Sequence, residues 1–231
     1  MLSTQPKADR FRVTRNFLPT AEGMETRPGA VQVLAGDVTG VVPWGLGLVA
    51  ERNGRLVVAV GSKVTDVGPA GRFLRGAAYQ APVMGGGTED RLYVADGLNP
   101  LWYLARRGGQ TVRESVLNTV LDDAGLPYPL PVPSLVAVWR GRVWIDAGPT
   151  RLQHCQNNSP AEWDPLWTVD LHTQDADRLM ALQTSRDVLV AAFARSLWGV
   201  TGQSQYDWRT DTLAAGRGAV GAQAMTANGA Q

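Results

Sequence analysis

Short apolar runs separated by turn residues recur along the chain, and four of them share one pattern. These runs are residues 56–60 (LVVAV), 92–96 (LYVAD), 143–147 (VWIDA) and 188–192 (VLVAA). Aligned on Val57, Tyr93, Trp144 and Leu189, they lie 36, 51 and 45 residues apart. Repeats of about 40–50 residues are typical of propeller blades, because one such unit cannot bury its own apolar face. The pattern therefore predicts an all-β fold of repeated antiparallel hairpins that is β-propeller-like.

Two features of the pattern leave alternatives open. Four units are few for a closed propeller, so we expect a propeller that is incomplete or closed by neighbouring subunits. Many short strands with regular turn signals also suit a β-sandwich or a β-barrel, which is the alternative fold. Helical periodicity is nearly absent, and the sequence predicts at most one short helix, at residues 114–123.

Turn residues mark the expected hairpins. Asn53-Gly54 lies within the apolar segment 41–60, and both central residues of a type I′ turn need a positive φ, which Asn and Gly tolerate. Arg140-Gly141 predicts a similar turn before the third run. Turns at residues 88–90 and 184–187 are expected before the second and fourth runs, and Gly85-Gly86-Gly87 is expected to be a flexible turn.

The composition divides the chain into three parts. Residues 1–30 are predicted to form an N-terminal arm and turn, in which Arg10, Arg12 and Arg15 alternate with apolar residues as in a strand. Residues 31–213 form the repeated β domain, and residues 214–231 form a flexible tail or interface segment. Within the β domain, residues 122–133 contain four prolines and predict an extended, polyproline-like connector.

The bulk properties fit a globular protein. A chain of 231 residues with 44% hydrophobic residues can form one large domain or two small ones. Its net charge of +1 gives no global attraction to nucleic acid or to a membrane surface. Cys155 is the single cysteine, so we expect no internal disulfide framework. No apolar run approaches the length of a membrane-spanning helix, so we expect no membrane span.

The residue types that commonly catalyse reactions do not form a recognisable motif in this sequence. Neither His154 nor His172 has a second His or Cys at metal-ligand spacing, so we expect no metal site, no cofactor and no catalytic residue. If His154 and Cys155 share a strand, their side chains point to opposite faces. Asp175 and Asp177 could help to bind Ca²⁺ in a loop, although a solvated turn is the preferred interpretation.

Tryptophan and arginine supply the candidate interface residues. Trp102, Trp144 and Trp198 lie in or just after the repeat strands, so we expect them to pack in the core. Trp163 and Trp167 lie in a polar loop and are the better surface candidates. The guanidinium group of arginine binds carboxylate and phosphate groups in a bidentate manner. Two clusters of arginine residues are therefore candidates for contact with a partner. The possible interface residues are therefore Arg10, Arg12, Arg15, Arg106, Arg107, Trp163 and Trp167.

Two segments resemble a known family. Residues 16–29 (NFLPTAEGMETRPG) are similar to the N-terminal "N-x-P…G…R-P-G" stretch of tailed-phage β-propeller proteins. Residues 155–202 resemble a later blade of the same group, in which a polar loop (here NNSPAEWDP) precedes an Asp-rich turn and a strand pair (here DRLMALQTSRDVLVAAFARSLWGVTG). The family comprises neck and tail-hub proteins, namely the packaged-DNA stabilisation proteins and the nozzle proteins of short-tailed phages.

This resemblance implies a structural role in the virion of a tailed bacteriophage. The chain would form part of the neck or tail, as a head-to-tail connector, hub or nozzle, after assembly in the host cytoplasm. Copies would form an oligomeric ring that encloses the DNA channel. The ring would contact the adaptor or portal on one side and tail or fibre proteins on the other. The resemblance transfers no functional residue, because no motif of the family matches one here.

Two other functions remain open. The first alternative is a carbohydrate-binding or glycan-hydrolysing β-propeller, which would use Trp163, Trp167 and the loop with Asp175 and Asp177. The second is an intracellular interaction propeller of the WD type. It ranks last because the chain lacks the Gly-His dipeptide of that group.

Overall fold

The computed structural model describes residues 17–20, 23–26, 34, 36–72, 74–83, 85–171 and 177–221. The fold is all-β and β-propeller-like, as predicted, with four four-stranded antiparallel sheets as its blades. Each sheet is a meander, in which strands that follow one another in sequence pair side by side. The chain divides into two compact units, Met1–Ala70 and Gly71–Gln231.

The first unit contains a hairpin and sheet 1. The hairpin pairs β1 (Phe17–Thr20) with β2 (Gly23–Thr26), and sheet 1 comprises β3 (Val38–Trp44), β4 (Gly47–Arg52), β5 (Arg55–Val60) and β6 (Lys63–Pro69). Asn53 and Gly54 join β4 to β5 with φ values of 52° and 74°, which confirms the predicted turn. The buried apolar cluster of this unit consists of Leu34, Val38, Leu48, Ala50, Val57 and Ala59.

The second unit contains three sheets. Sheet 2 comprises β7 (Arg75–Pro82), β8 (Thr88–Ala95), β9 (Trp102–Arg107) and β10 (Gln110–Ser115). Sheet 3 comprises β11 (Val136–Trp139), β12 (Arg142–Asp146), β13 (Arg151–His154) and β14 (Thr168–Asp170). Sheet 4 comprises β15 (Leu179–Ser185), β16 (Val188–Phe193), β17 (Ser196–Thr201) and β18 (Arg209–Ala215). The first strand of sheet 3, β11, lies beside the first strands of both neighbouring sheets, β7 and β15.

Sheet 3 is buried on both faces, which explains the continuous apolar run of β12. Val143 and Ile145 pack in a cluster with residues of sheet 2, whereas Trp144 packs in a cluster with residues of sheet 4. Successive side chains of a strand point to opposite faces, so each face of β12 must be apolar. The apolar run therefore indicates a strand that is covered on both faces, rather than a strand with one face exposed to solvent.

Two aspartates connect the first and second strands of sheets 3 and 4. Asp146, at the end of β12, accepts hydrogen bonds from the main-chain N–H groups of Ser134 and Leu135 at 2.8 and 2.7 Å. Asp177, just before β15, accepts hydrogen bonds from the N–H groups of Ala194 and Arg195 at 3.1 and 2.9 Å. These backbone N–H groups lie at strand ends, where the sheet provides no acceptor for them. Each carboxylate supplies that acceptor.

The structure corrects two of the predicted local elements. Residues 88–90 begin β8 instead of forming a turn, and the turn lies at Gly85–Gly87, whose φ values are all positive. Residues 114–123 form no helix, because β10 continues to Ser115 and the Asn118 side chain accepts a hydrogen bond from the Val120 N–H group at 3.0 Å. Such local Asn bonds compete with helix formation. The proline-rich connector 122–133 contains no strand, but it is not extended throughout, because the Gly125 N–H group donates to the Asp122 carbonyl at 2.9 Å and closes a turn.

The end of the described chain belongs to sheet 4. The predicted boundary between domain and tail, at residues 213 and 214, falls inside β18. Ala219 is buried against Ala181 and Ala192, and its N–H group donates to the Phe193 carbonyl at 2.8 Å. Residues 222–231 lie outside the described residues, so a flexible tail there stays a prediction. In the part of the chain that the structure describes, no helix is long and apolar enough to cross a membrane.

Candidate functional site

A cleft of about 600 Å³ lies beside sheet 2 in the second unit. One wall comes from the face of β8, β9 and β10, and the rest comes from the segment that follows β10 and from the loop between β13 and β14. Its lining residues are Arg91, Tyr93, Tyr103, Glu114, Ser115, Val116, Leu117, Thr119, Pro160 and Ala161. The cleft therefore combines aromatic, charged, hydroxyl and apolar groups in one place.

Strand register builds the aromatic wall of the cleft. Tyr93 of β8 pairs with Tyr103 of β9, which pairs with Glu114 of β10, so the three side chains form a row across one face. The Tyr93 and Tyr103 ring centroids are 5.5 Å apart, and Tyr79 extends the row at 6.3 Å from Tyr93. The Tyr79 hydroxyl donates to the Gly141 carbonyl at 3.0 Å, which fastens sheet 2 to the first turn of sheet 3.

Four charged side chains form a continuous network at the same face. Arg91 and Arg107 both donate to Glu89, at 2.6 and 2.5 Å, and Arg107 also donates to Glu114 at 2.5 Å. Tyr103 donates its hydroxyl proton to Glu114. The hydrogen bonds from Arg107 lower the pKa of both Glu89 and Glu114, so these carboxylates stay ionised at neutral pH. The network is electrically neutral and offers no unpaired charge to a ligand.

The Tyr93 side chain forms part of the inner wall of the cleft and is fully buried. Arg91 donates to the Tyr93 oxygen at 3.3 Å. Burial raises the pKa of Tyr93, so the hydroxyl keeps its proton. The Arg91 guanidinium also lies over the Tyr103 ring at 4.4 Å, which fixes its orientation. Arg91 and the two tyrosines thus form a fixed aromatic wall on the inner side of the cleft.

Asn118 holds the remaining walls together, and sequence reasoning missed it. Its side-chain amide donates to the carbonyls of Trp163 and Tyr128 at 2.7 and 3.1 Å, and its oxygen accepts from the Trp163 N–H group at 2.9 Å. The Thr119 N–H group donates to the Ala161 carbonyl at 2.8 Å. A single Asn in a connector carries no sequence signal of such a role, because its partners are 10 and 45 residues away.

The structure corrects the expected exposure of Trp163. Its indole is fully buried in the cluster between sheets 2 and 3, and its Nε1 donates to the Pro160 carbonyl at 2.9 Å. An aromatic residue in a polar loop can therefore fold inward as an anchor. Trp167 is half-buried and lies parallel to the His154 ring, with centroids 6.2 Å apart. Of the residues predicted as core, Trp102 and Trp144 are buried, and Trp198 packs partly buried against the cluster of sheets 3 and 4.

The predicted arginine candidates are not brought together. Arg107 belongs to the charged network beside the cleft, whereas its neighbour Arg106 does not line the cleft. Both belong to strand β9, and the turn that follows is formed by Gly108 and Gly109. Arg10, Arg12 and Arg15 lie outside the described residues, so their interface role stays a prediction.

His154 and Cys155 point to opposite faces, as predicted. His154 Nδ1 lies 2.8 Å from the Cys155 carbonyl, and Nε2 accepts a hydrogen bond from Trp208 at 3.0 Å, so the neutral Nδ1–H tautomer satisfies both contacts. Burial lowers the pKa of His154 to about 4. Burial also raises the pKa of the Cys155 thiol to about 12, which keeps it protonated and unreactive. Both groups are satisfied parts of the core.

The candidate calcium loop is only partly described. Asp177 binds backbone N–H groups, as set out above, and Asp175 and His172 lie outside the described residues. Within the described ranges, no group of three or more His, Cys, Asp or Glu side chains is placed to hold a metal ion.

Comparison with known proteins supports the fold. No protein-family model and no curated protein sequence matches the chain. Among solved structures, the Neurospora crassa Pan2 WD40 domain is similar, with a TM-score of 0.52 and 13% identity over 83% of this chain. The chain spans 57% of that domain's length. The extracellular domain of the putative hybrid two-component system BT4673 from B. thetaiotaomicron also matches, at 13% identity and a TM-score of 0.46, over 89% of this chain and 25% of its own length. At this identity the likeness to the WD40 domain shows the fold alone, and the fold is that of a β-propeller.

Proposed function

We propose that this chain is a non-enzymatic structural protein of a tailed bacteriophage, located in the neck or tail as a connector, hub or nozzle. The observation that carries the proposal is the agreement between resemblance and fold. The segment 155–202, which resembles a blade of those proteins, contributes β14–β17, the last strand of sheet 3 and three strands of sheet 4. The polar loop that carries part of this resemblance (NNSPAEWDP) is held in place by Trp163, whose side chain packs in the core.

The architecture suits assembly in a scaffold. Repeated meanders leave an outer strand on each sheet, and an outer strand can be paired by a neighbouring chain. In this proposal, copies form a ring that encloses the DNA channel and contacts neighbouring virion proteins. The carbohydrate-binding alternative has lost one of its two stacking platforms, because the Trp163 indole is buried.

The experiment that tests the proposal combines assembly with location. The recombinant full chain is imaged by negative-stain electron microscopy, and purified virions of the phage that encodes it are examined by mass spectrometry. We expect ring-shaped particles and a stoichiometric virion component. A chain that stays monomeric at high concentration and is missing from purified virions would contradict the proposal.

A further inference from the structure

The fourth strands of the four sheets differ in how their edges are protected. An exposed strand edge pairs readily with other chains, and natural proteins prevent this with short strands, bulges or outward charges. In β6 and β18 the register shifts, so Val67 and Leu213 are extra residues of β-bulges. Strand β14 has only three residues. Among these four described strands, β10 alone is both longer than three residues and regular in register.

The hairpin geometry shows which backbone groups of β10 face outward. Gly108 and Gly109, with φ values of 58° and 78°, form a two-residue turn that makes Arg107 and Gln110 the closing hydrogen-bonded pair. The alternation of residues that bond to β9 continues at the far end of β10, where the Val116 N–H group donates to the Leu101 carbonyl at 2.9 Å. Even-numbered residues of 110–116 therefore bond to β9, and odd-numbered residues direct their N–H and C=O groups away from it. No described strand lies on that side.

The charged side chains of β10 leave this edge accessible. The Arg113 guanidinium lies over the Trp102 ring at 3.9 Å, against its own sheet. Glu114 is held on the other face by Arg107 and Tyr103. Charges that protect an edge must project from it, and these two instead fold back onto the two faces of sheet 2.

The cleft continues from the end of β10. Ser115, Val116 and Leu117 line it, and Leu117 is 77% exposed at its rim. Because the charges inside the cleft are already paired, it favours an uncharged guest. Its aromatic wall and its apolar rim suit an aromatic or branched aliphatic side chain.

We propose that β10 and the adjoining cleft form a strand-addition site for an extended segment of a partner protein. The segment pairs its main chain with the outward groups of Thr111 and Ser115 and places an uncharged aromatic or branched aliphatic side chain in the cleft. Main-chain pairing supplies affinity in this mode, and the pocket supplies specificity. The site goes beyond the proposed virion role and does not depend on it.

The test selects binding peptides with the full chain as bait. The probe is a displayed library of random peptides about twelve residues long, which is enough for one strand of ordinary length. We expect enriched peptides to alternate polar and apolar residues around one uncharged aromatic or branched aliphatic anchor, without proline in the paired part. Hydrogen–deuterium exchange with a synthesised peptide should show protection at Thr111 and Ser115.

Four variants separate the site from general effects. Thr111→Pro removes one outward N–H group and leaves the bonds to β9 intact, and Leu117→Asp adds a charge at the cleft rim. Each should weaken peptide binding at least about tenfold. Thr111→Ala, which keeps the N–H group, and Leu166→Asp, at a residue that is 84% exposed elsewhere, should leave affinity unchanged. Circular dichroism and thermal unfolding confirm that all four variants are folded.

Several results would overturn the proposal. The selection could yield no enriched peptide, or Thr111→Pro could leave the affinity of the enriched peptides unchanged. Hydrogen–deuterium exchange could also show that the peptide protects another strand. Self-association of the chain that Thr111→Pro abolishes would show that a second copy occupies the edge, and would overturn the assignment to a partner segment. Failure to form rings or to enter virions would contradict the proposed function while leaving these binding results unaffected.

Discussion

The two faces of sheet 3 form interfaces of opposite character. Toward sheet 4 the interface is closed by a cluster of indole rings around a neutral histidine, with Trp139, Trp144 and Trp208 in mutual contact. Toward sheet 2 it contains a row of tyrosines that ends in the open cleft and its paired charges. The same architecture thus makes one interface that is filled and another that keeps room for a guest.

This difference follows from side-chain chemistry. Tryptophan contributes a large apolar area and needs only one hydrogen-bond acceptor, which Trp144 finds at the Trp139 carbonyl and Trp139 at the Arg186 carbonyl. Tyrosine keeps a hydroxyl that must reach a polar partner, so a tyrosine row brings Arg and Glu with it. A filled interface serves stability, and an interface with oriented polar groups is suited to recognition.

The largest expected effect comes from opening the filled interface. Trp144→Ala should destabilise the second unit by about 3–5 kcal/mol, because it leaves a large cavity among residues that are fully buried. Denaturant unfolding of the full chain measures this. Leu166→Ala is the matched control, since its side chain is 84% exposed and its change should stay within about 0.5 kcal/mol. Equal effects of the two variants would contradict the description of this interface as filled.

A second prediction concerns the pH dependence of the same interface. Burial lowers the pKa of His154 from 6.5 to about 4, so the folded state binds fewer protons than the unfolded state between these values. The stability that His154 contributes is complete above pH 6.5 and is lost as the pH falls toward 4. Unfolding free energies at about pH 7.5 and pH 4.5 should drop by roughly 2–3 kcal/mol more in the wild type than in His154→Gln.

The comparison with His154→Gln removes the contribution of carboxylates, which titrate in the same acidic range in both proteins. Gln can still accept from Trp208 and donate to the Cys155 carbonyl, so the variant should fold. Parallel pH profiles for the two proteins would show that His154 is not held neutral in the core.

The charged network of the open interface should have a smaller effect that depends on salt. Glu89→Gln removes the carboxylate that Arg91 and Arg107 share and should cost about 1–2 kcal/mol at low ionic strength. The cost should shrink at high salt, because Arg107 is partly exposed and screened. Unfolding at two salt concentrations measures both effects. Asp123→Asn, at an exposed carboxylate, is the control that should show neither.

The smallest expected effect concerns the fastening between the two sheets at the tyrosine row. Tyr79→Phe removes the hydrogen bond to the Gly141 carbonyl and should cost about 1 kcal/mol. Tyr206→Phe, at a side chain that is 89% exposed, should change nothing measurable in the same unfolding assay. A larger loss for Tyr206→Phe than for Tyr79→Phe would contradict this role of the hydroxyl.

The sequence predicts three buried second strands and their tight turns well, and the other elements less well. The first run, 56–60, aligns with them in the sequence but lies in β5, the third strand of sheet 1, because two apolar strands follow one another there. The runs 92–96, 143–147 and 188–192 are apolar because both faces of those strands are covered, and Arg140-Gly141 has the positive φ values that a two-residue turn requires. Strands β7, β14 and β18 have no such signal. Their residues are small or polar, because β7 is only partly buried and the other two are outer strands.

The cleft could not be predicted from the sequence. Its residues come from three strands, a connector and a distant loop, and only register brings Tyr93, Tyr103 and Glu114 into one row. Arg107 stands out in the sequence because paired arginines are conspicuous, but it lies beside the cleft rather than lining it, and its interface role stays a prediction. Asn118 was not found, because its role depends on backbone groups 10 and 45 residues away. Trp163 was expected at the surface because a polar loop surrounds it, yet the loop folds around its indole.

Native-state hydrogen exchange of the full chain, resolved by residue, tests the contrast between the two interfaces most directly. The amides of β12 and β16, in the filled interface, should exchange only through openings near the global free energy of unfolding. The amides of Thr111 and Ser115, on the open edge of β10, should exchange rapidly. Equal protection of these two amides and of β12 would contradict the account, because it would mean that the edge beside the cleft is already paired.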